Sequence, residues 1–319
     1  MIITVTLNAA IDRTLAVPSF RLGRRHRAVE QRTRAGGKGV NVARALKRLG
    51  HPVIATGLAG GPTGTRIVEA LTEEAILNDF VRTREESRTN TAVIDPTTGE
   101  QTEINERGPN VSEQELELFS DKLLYLARGA QICVLAGSLP IGVDSGFYAQ
   151  LIMELRKLGV ATVIDSDGEP LRLAVRAEPT VVSPNVVEAE ELVGHEFNDD
   201  EDRLIAVREM VSLGAEEAIM TAADGCFAHV LEDGASQLYR LRMEPLEPVA
   251  TVGSGDAFLA GYVGARYSGA AAADCLRFGV ACGAQSTQQL GAGLFDPREV
   301  ERLLEDVSVE RAELAAEVS

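Results

Sequence analysis

Apolar residues recur along this chain in two alternating rhythms. Short continuous runs at Ile2–Leu7, Val53–Leu58, Ile132–Ala136, Ala161–Asp165, Thr180–Ser183 and Ala218–Thr221 read as buried strands. Between them lie longer stretches with helical spacing, Gly64–Glu74, Ser112–Arg128, Ser145–Leu158 and Asp200–Leu213. In a further helix Val42, Ala45, Leu46 and Leu49 are spaced for one buried face, and Gly50 stands where a C′ glycine ends it. This alternation predicts β-α-β units and a mostly parallel central sheet covered on both faces. Two polar, strand-like segments break the rhythm: Arg13–Arg34, and Thr89–Ile104 with a turn at Asp95-Pro96-Thr97-Thr98-Gly99. Beyond Glu305 the chain is acidic and helix-prone, which predicts a surface helix or a frayed end.

Two glycine-rich helix starts carry the candidate chemistry. In Val252-Gly253-Ser254-Gly255-Asp256-Ala257-Phe258, glycines on either side of a serine let the chain turn tightly into a helix. The first N–H groups of such a helix have no partner within it, and with the positive end of the helix dipole they form an anion site. Asp256 stands where a carboxylate can take a proton beside that anion, an arrangement suited to phosphoryl transfer. Taken alone, the stretch is also explained by a turn with Asp256 as N-cap. A second start, Arg34-Ala35-Gly36-Gly37-Lys38-Gly39-Val40-Asn41, lies more than two hundred residues earlier and places the Asn41 amide in a first turn, where it can face a polyol.

In order and separation these stretches resemble the ribokinase superfamily, and within it the sugar kinases of the phosphofructokinase-B type. Thr6-Leu7-Asn8-Ala9-Ala10-Ile11-Asp12 is similar to the family's opening strand and sugar-binding aspartate, with Ala9 where proline is usual. Ala136-Gly137-Ser138-Leu139-Pro140, Asp165-Ser166-Asp167-Gly168-Glu169-Pro170-Leu171 and Pro184-Asn185-Val186-Val187-Glu188 match further family segments. The resemblance covers most of the chain. It implies an α/β, ribokinase-like three-layer fold spanning 1–319 as a single kinase domain, with segments 13–34 and 89–104 forming a small β-lid that also makes a homodimer contact.

It further implies ATP-dependent phosphorylation at a primary hydroxyl. Asp256 would be the base and Gly253, Ser254 and Gly255 the anion hole. Asp12 and Asn41, with Gly36, Gly37, Lys38 and Asn90, would hold the sugar. Arg25, Arg27, Lys38, Arg88 and Ser138 would surround a sugar phosphate. Ser183, Asn185, Thr221, Gly225 and Val252 would face ATP, and Asn185 and Glu188 would order magnesium through water, unless both serve only as a helix start. A monovalent cation also fits the family pattern. Two departures touch the ATP side: Ser183 where lysine is usual, and Thr221-Ala222-Ala223-Asp224-Gly225 in place of a Ser-Leu-Gly segment.

Charge bears on the substrate. The net charge of −17, from 31 basic and 48 acidic residues, argues against nucleic acid as a partner. Against that background Arg21, Arg24, Arg25, Arg27, Arg32 and Arg34 cluster with a single acid, Glu30, within fourteen residues. A solvated basic loop explains such a cluster, and so does a site for a phosphate already on the substrate, because guanidinium forks bind phosphate bidentately. A phosphorylated ketohexose (fructose 6-phosphate, fructose 1-phosphate or tagatose 6-phosphate) is therefore expected. The alternatives are an unphosphorylated sugar or nucleoside, and a sugar-phosphate-binding regulator that has lost turnover. The 319 residues suffice for a large core, and no apolar run reaches the length of a membrane span. Met1 leads directly into a strand-like run, so no signal peptide is expected and the protein is expected to be cytoplasmic. The four cysteines lack Cys-x-x-Cys spacing and the four histidines form no ligand pattern, which predicts reduced thiols and no zinc site.

Overall fold

The computed structural model describes residues 1–232, 234–289 and 291–313. The chain opens with β1 (Ile2–Thr6), β2 (Ala10–Ala16), β3 (Glu30–Gly36) and α1 (Lys38–Arg48), and continues through β4 (Val53–Gly60), α2 (Gly61–Glu73), β5 (Leu77–Thr83), β6 (Arg88–Ile94) and β7 (Gln101–Ile104). A regular alternation follows: α3 (Glu113–Ala127), β8 (Ile132–Ala136), α4 (Phe147–Lys157), β9 (Ala161–Asp165), α5 (Gly168–Val175), β10 (Val181–Val182), α6 (Val186–Val193), α7 (Asp200–Ser212) and β11 (Glu217–Ala222). The last part holds β12 (Gly225–Glu232), β13 (Ala235–Arg242), α8 (Ser254–Tyr267), α9 (Ala272–Ser286), α10 (Pro297–Leu303) and β14 (Ser308–Ala312).

Among the described residues the large sheet has ten strands in the order β14-β13-β12-β11-β10-β9-β8-β1-β4-β5. The seven strands from β11 to β5 pair in parallel, and β12, β13 and β14 extend the sheet antiparallel. Successive residues of one strand go to opposite cores. In β8, Ile132, Val134 and Ala136 join the cluster under α1, α8 and α9, while Cys133 and Leu135 join the one under α3, α4 and α7. Burial on both faces explains why these strands read as unbroken apolar runs. A second sheet of four strands, β3-β2-β6-β7, stands apart from the first. Its members are the two polar segments that broke the rhythm.

The element boundaries follow local chemistry. Ser112 caps α3 in a capping box with Glu115, and Asp199 caps α7 by accepting from Asp202 N–H at 3.0 Å. One expectation is overturned. Up to residue 313 the segment after Glu305 is not a helix: a short 3-10 turn at Leu304–Asp306 leads into β14, which pairs with β13 from Leu238↔Ala312 to Arg242↔Ser308, while the remainder of the expected helix or frayed end, 314–319, lies outside the described residues. The open edge of β13 offers unpaired N–H and C=O groups, and pairing them outweighs the weak helical preference of a short acidic segment.

Candidate active site

The carboxyl ends of the parallel strands open into a crevice of about 1190 Å³, where ligands bind in open α/β sheets. The small sheet lines one end of it with Asp12, Arg13, Arg32, Arg34, Arg88 and Asn90. The other end is lined by Ser183, Asn185, Thr221, Gly225, Val252 and Thr287. Between them lie Gly37, Lys38, Asn41, Asp165, Glu188 and the turn Gly253-Ser254-Gly255-Asp256.

Asp256 sits in the first turn of α8 and is 6% exposed. Its Oδ2 accepts from Asn41 Nδ2 at 2.8 Å, so the first turns of α1 and α8 meet. Burial, reinforced by the nearby Asp165 carboxylate and opposed by Lys38 and by the Asn41 hydrogen bond, pushes its pKa up to about 7. A carboxyl group poised there suits proton abstraction near neutral pH.

The turn before Asp256 owes its shape to glycine. Gly253 has φ 83°, and a Cβ there would lie 2.4 Å from Ala292 Cβ. Gly255 is different: it is helical and exposed, and a Cβ there would meet nothing within 4 Å. Glycine in a helix costs up to about 1 kcal/mol relative to alanine, so packing gives no reason for it. The open volume above Gly255 is a cradle that a side chain would fill. Among the described residues no protein acceptor takes the N–H of Gly253, Gly255 or Asp256, whereas Ser254 N–H donates to Thr251 C=O at 3.2 Å. Thus the N–H groups of Gly253 and Gly255 are available to an anion as expected, and that of Ser254 is already engaged. Asp256 N–H takes its place, a donor that the sequence did not single out.

Lys38 heads α1 and donates to Asp165 Oδ1 at 2.6 Å and to Glu188 Oε1 at 3.4 Å. Burial alone would lower its pKa, but the two carboxylates outweigh burial and hold the ammonium charged. Burial likewise raises Glu188, with Lys38 opposing. Glu188 also closes a capping box with Asn185: Asn185 N–H donates to its Oε2 at 2.9 Å, and Glu188 N–H to Asn185 Oδ1 at 3.0 Å. Both residues therefore start α6, and one carboxylate oxygen of Glu188 is taken up by doing so. Among the described residues no group of three or more His, Cys, Asp or Glu side chains could hold a metal. The donor set fits magnesium carried by phosphate oxygens and water, with one carboxylate alongside, and not an all-protein cage.

At the other end Asp12 Oδ1 accepts from Asn90 Nδ2 at 2.9 Å, and burial raises the Asp12 pKa despite that bond. Gly36 does not line the crevice. It lies beneath Asp12, where a Cβ would fall 1.8 Å from Asp12 Oδ2. Arg88 is anchored by two carbonyls, Asn8 through Nε at 3.1 Å and Glu106 through Nη1 at 3.0 Å.

Other expected contacts are relocated. Arg25 and Arg27 belong to the irregular segment 17–29 between β2 and β3; both are exposed and neither lines the crevice. The crevice arginines of this region are instead Arg13, Arg32 and Arg34, which the strand pairing of β2 and β3 carries there. Ser138 does not line the crevice, and its hydroxyl accepts from Asn8 Nδ2 at 3.2 Å. Asn41 is more committed than expected, since its Oδ1 already accepts from Arg44 Nη1 at 3.1 Å, leaving one N–H for a polyol. Gly225 lines the end of the crevice away from the small sheet, but a Cβ there would lie 1.9 Å from Leu241 C=O, so the β12–β13 approach already requires it. Asp165 was legible as a carboxylate closing an apolar strand and opening a family-like segment, but not as the partner of Lys38. Arg44 was hidden by its setting, and its one signal was the i, i+3 spacing from Asn41.

The chain is similar to known proteins along most of its length. The sequence model of pfkB family carbohydrate kinases matches residues 3–298. A 1-phosphofructokinase of Borreliella burgdorferi is 32% identical over 311 residues, covering 97% of this chain and 98% of that protein. A tagatose-6-phosphate kinase of Staphylococcus epidermidis is 33% identical over 265 residues, 82% of this chain and 84% of its own. Among solved structures, phosphofructokinase-2 from Escherichia coli in complex with substrates and products superposes with a TM-score of 0.89 at 29% identity, over 95% of this chain and 98% of that one.

Proposed function

From the premise that this chain belongs to the pfkB family of carbohydrate kinases, we propose that it transfers the γ-phosphoryl group of ATP to a primary hydroxyl of a phosphorylated ketohexose. The observation that carries this reading is the pairing, in one crevice, of a buried carboxylate at a helix start with a row of arginines from the small sheet. When bound, ATP with magnesium supplies the transferable group and part of the charge neutralisation around it.

The chain's own residues do the rest. Asp12 and Asn90 hold sugar hydroxyls, helped by the remaining Asn41 N–H. Asp256 presents Oδ1 to the attacking hydroxyl, because Oδ2 is occupied by Asn41, and takes its proton. The N–H groups of Gly253, Gly255 and Asp256 face the charge that develops on the transferring group. Lys38, tethered to Asp165 and Glu188, adds a positive charge between donor and acceptor. Arg88, with Arg34, reads the phosphate already on the sugar. Transfer of this kind rests on positioning and electrostatics, so no covalent protein nucleophile is needed. The sheet β3-β2-β6-β7 acts as a lid, and copies pair through it as a homodimer; exposed Leu22, Val29 and Ile104 on that sheet and its connecting segment support the pairing.

The test is ATP consumption with fructose 6-phosphate, fructose 1-phosphate and tagatose 6-phosphate, set against free fructose, ribose and adenosine. One of the phosphorylated ketoses should be preferred by at least about a hundredfold in kcat/KM. Arg88→Ala should raise the KM for that substrate by about one to three orders of magnitude, the usual cost of losing a charged partner of a phosphate, and leave the KM for ATP nearly unchanged. Preference for an unphosphorylated acceptor would overturn the reading.

A further inference from the structure

Behind Asp256 runs a chain of polar contacts that the proposed reaction does not use. Asn41 Nδ2 donates to Asp256 Oδ2, and on the far side of the same amide Asn41 Oδ1 accepts from Arg44 Nη1 at 3.1 Å. Arg44 is 3% exposed, on the face of α1 that packs into the core. Three more of its donors are engaged: Nη2 to the carbonyl of Ala35 at 2.7 Å, and Nη2 and Nε to the two oxygens of Glu74 at 3.0 Å and 2.5 Å. Ala35 lies in β3 at the root of the small sheet, and Glu74 is the C-cap of α2. One guanidinium therefore ties the small sheet, α2 and the base through a single amide.

The chemistry of that amide makes the tie directional. An asparagine side chain can turn over, exchanging its oxygen for its NH₂ with little change of shape. If it did so here, its oxygen would face the Asp256 carboxylate, acceptor against acceptor. A guanidinium carries donors only, so Arg44 fixes the oxygen on its own side and the NH₂ on the side of Asp256.

We propose that Arg44 is a positioning residue for phosphoryl transfer: by locking the Asn41 amide it holds Asp256 Oδ2 in a hydrogen bond, turns Oδ1 toward the acceptor, and favours the ionised carboxylate over the protonated one. The proposal rests on the reading of Asp256 as the base. Glu74 serves as the counter-charge that keeps the Arg44 fork in register. The groups bearing on Asp256 are Lys38 and Asn41 from α1, Asp165 at the end of β9 and Asp12 from β2. Arg44 also lines the crevice, but its link to Asp256 runs through the Asn41 amide.

The experiment compares the parent enzyme with Arg44→Met made in a Glu74→Gln background, which leaves no unpaired charge in the core. Turnover is followed across pH with both substrates saturating. The acid limb of kcat should move up by about one pH unit, the worth of a hydrogen bond to a carboxylate. The kcat at pH 7 should fall by about fivefold or more, and the KM for ATP should stay within twofold. In an Asn41→Ala background the same pair of substitutions should cost nothing further, because the amide through which Arg44 acts is gone. An unmoved limb, or equal losses with and without Asn41, would reduce Arg44 to a packing residue. Should the methionine variant not fold, Arg44→Lys keeps the charge beside Glu74 but not the fork. A smaller shift in the same direction is expected from it, and an unmoved limb overturns the proposal. Failure here leaves the base assignment intact, because that assignment stands or falls on Asp256→Asn alone.

Discussion

At the scale of the residue, Asp256 carries opposite consequences for activity and for stability. The base must be ionised to accept a proton, so kcat/KM should rise about tenfold per pH unit up to about pH 7 and level off above it. Asp256→Asn is nearly isosteric and should fold, bind sugar and lose about 10²–10⁴-fold in turnover; a variant keeping more than about a tenth of the activity sinks the assignment. Stability runs the other way. The folded-state pKa is raised above that of the unfolded chain, so the group's contribution is fully present below the unfolded value and is lost as pH rises through about 7. At pH 8 the asparagine variant should therefore be more stable than the parent, by up to about 4 kcal/mol, and by nearly nothing at pH 4. Matched urea titrations at the two pH values measure the difference. Gly255 gives a second contrast. Gly255→Ala should unfold no earlier than the parent, since the added methyl meets open space and alanine favours the helix by about 1 kcal/mol. Its turnover should nevertheless fall at least tenfold, because the methyl fills the volume that the transferring phosphoryl group needs. Unaltered kinetics would show that the glycine is not there for a ligand.

At the scale of the element, legibility in the sequence depended on what each segment packs against. The doubly covered strands β1, β8 and β9 were visible to within a residue or two, because burial on both faces leaves an unbroken apolar signature. β5 and β13 were not, since buried and exposed positions mix along them and charged residues interrupt them: Asp79 and Arg82 in β5, and Arg240 and Arg242 in β13. β14 could not be found from local pattern at all, because what makes it a strand is the edge of β13. The site divides in the same way. Helix starts built on glycine were plain, whereas Arg25, Arg27 and Ser138 were assigned to the crevice by resemblance and lie outside it, as placement across a loop is decided by tertiary contacts. The two polar segments were recognisable as strands, and the lid role proposed for them makes a prediction. Saturating sugar phosphate should slow amide exchange in 10–16, 30–36, 88–94 and 101–104 more than in the strands of the large sheet. Equal exchange in the small sheet with and without ligand would remove the lid.

At the scale of the whole molecule, the small sheet and the segment joining β2 to β3 expose large apolar side chains to water. Leu22 is 90% exposed, Val29 71% and Ile104 63%, against a net charge of −17 that keeps copies apart elsewhere. Sedimentation should give a dimer, and Leu22→Asp with Val29→Asp should give a folded monomer. A monomeric parent would exclude pairing through this sheet. The order of the large sheet acts on a different timescale, that of synthesis. Strand β1 is made first yet lies between β8 and β4, so one of its edges waits for Val53 and the other for Ile132. Until then Ile2, Ile3 and Val5, all fully buried in the finished sheet, belong to a strand with an open side. The pairing is parallel and non-local, which is slow to form. A ribosome stalled before β8 therefore carries an adhesive fragment and not a folded half, and the chain depends on reaching its middle before it can bury its beginning.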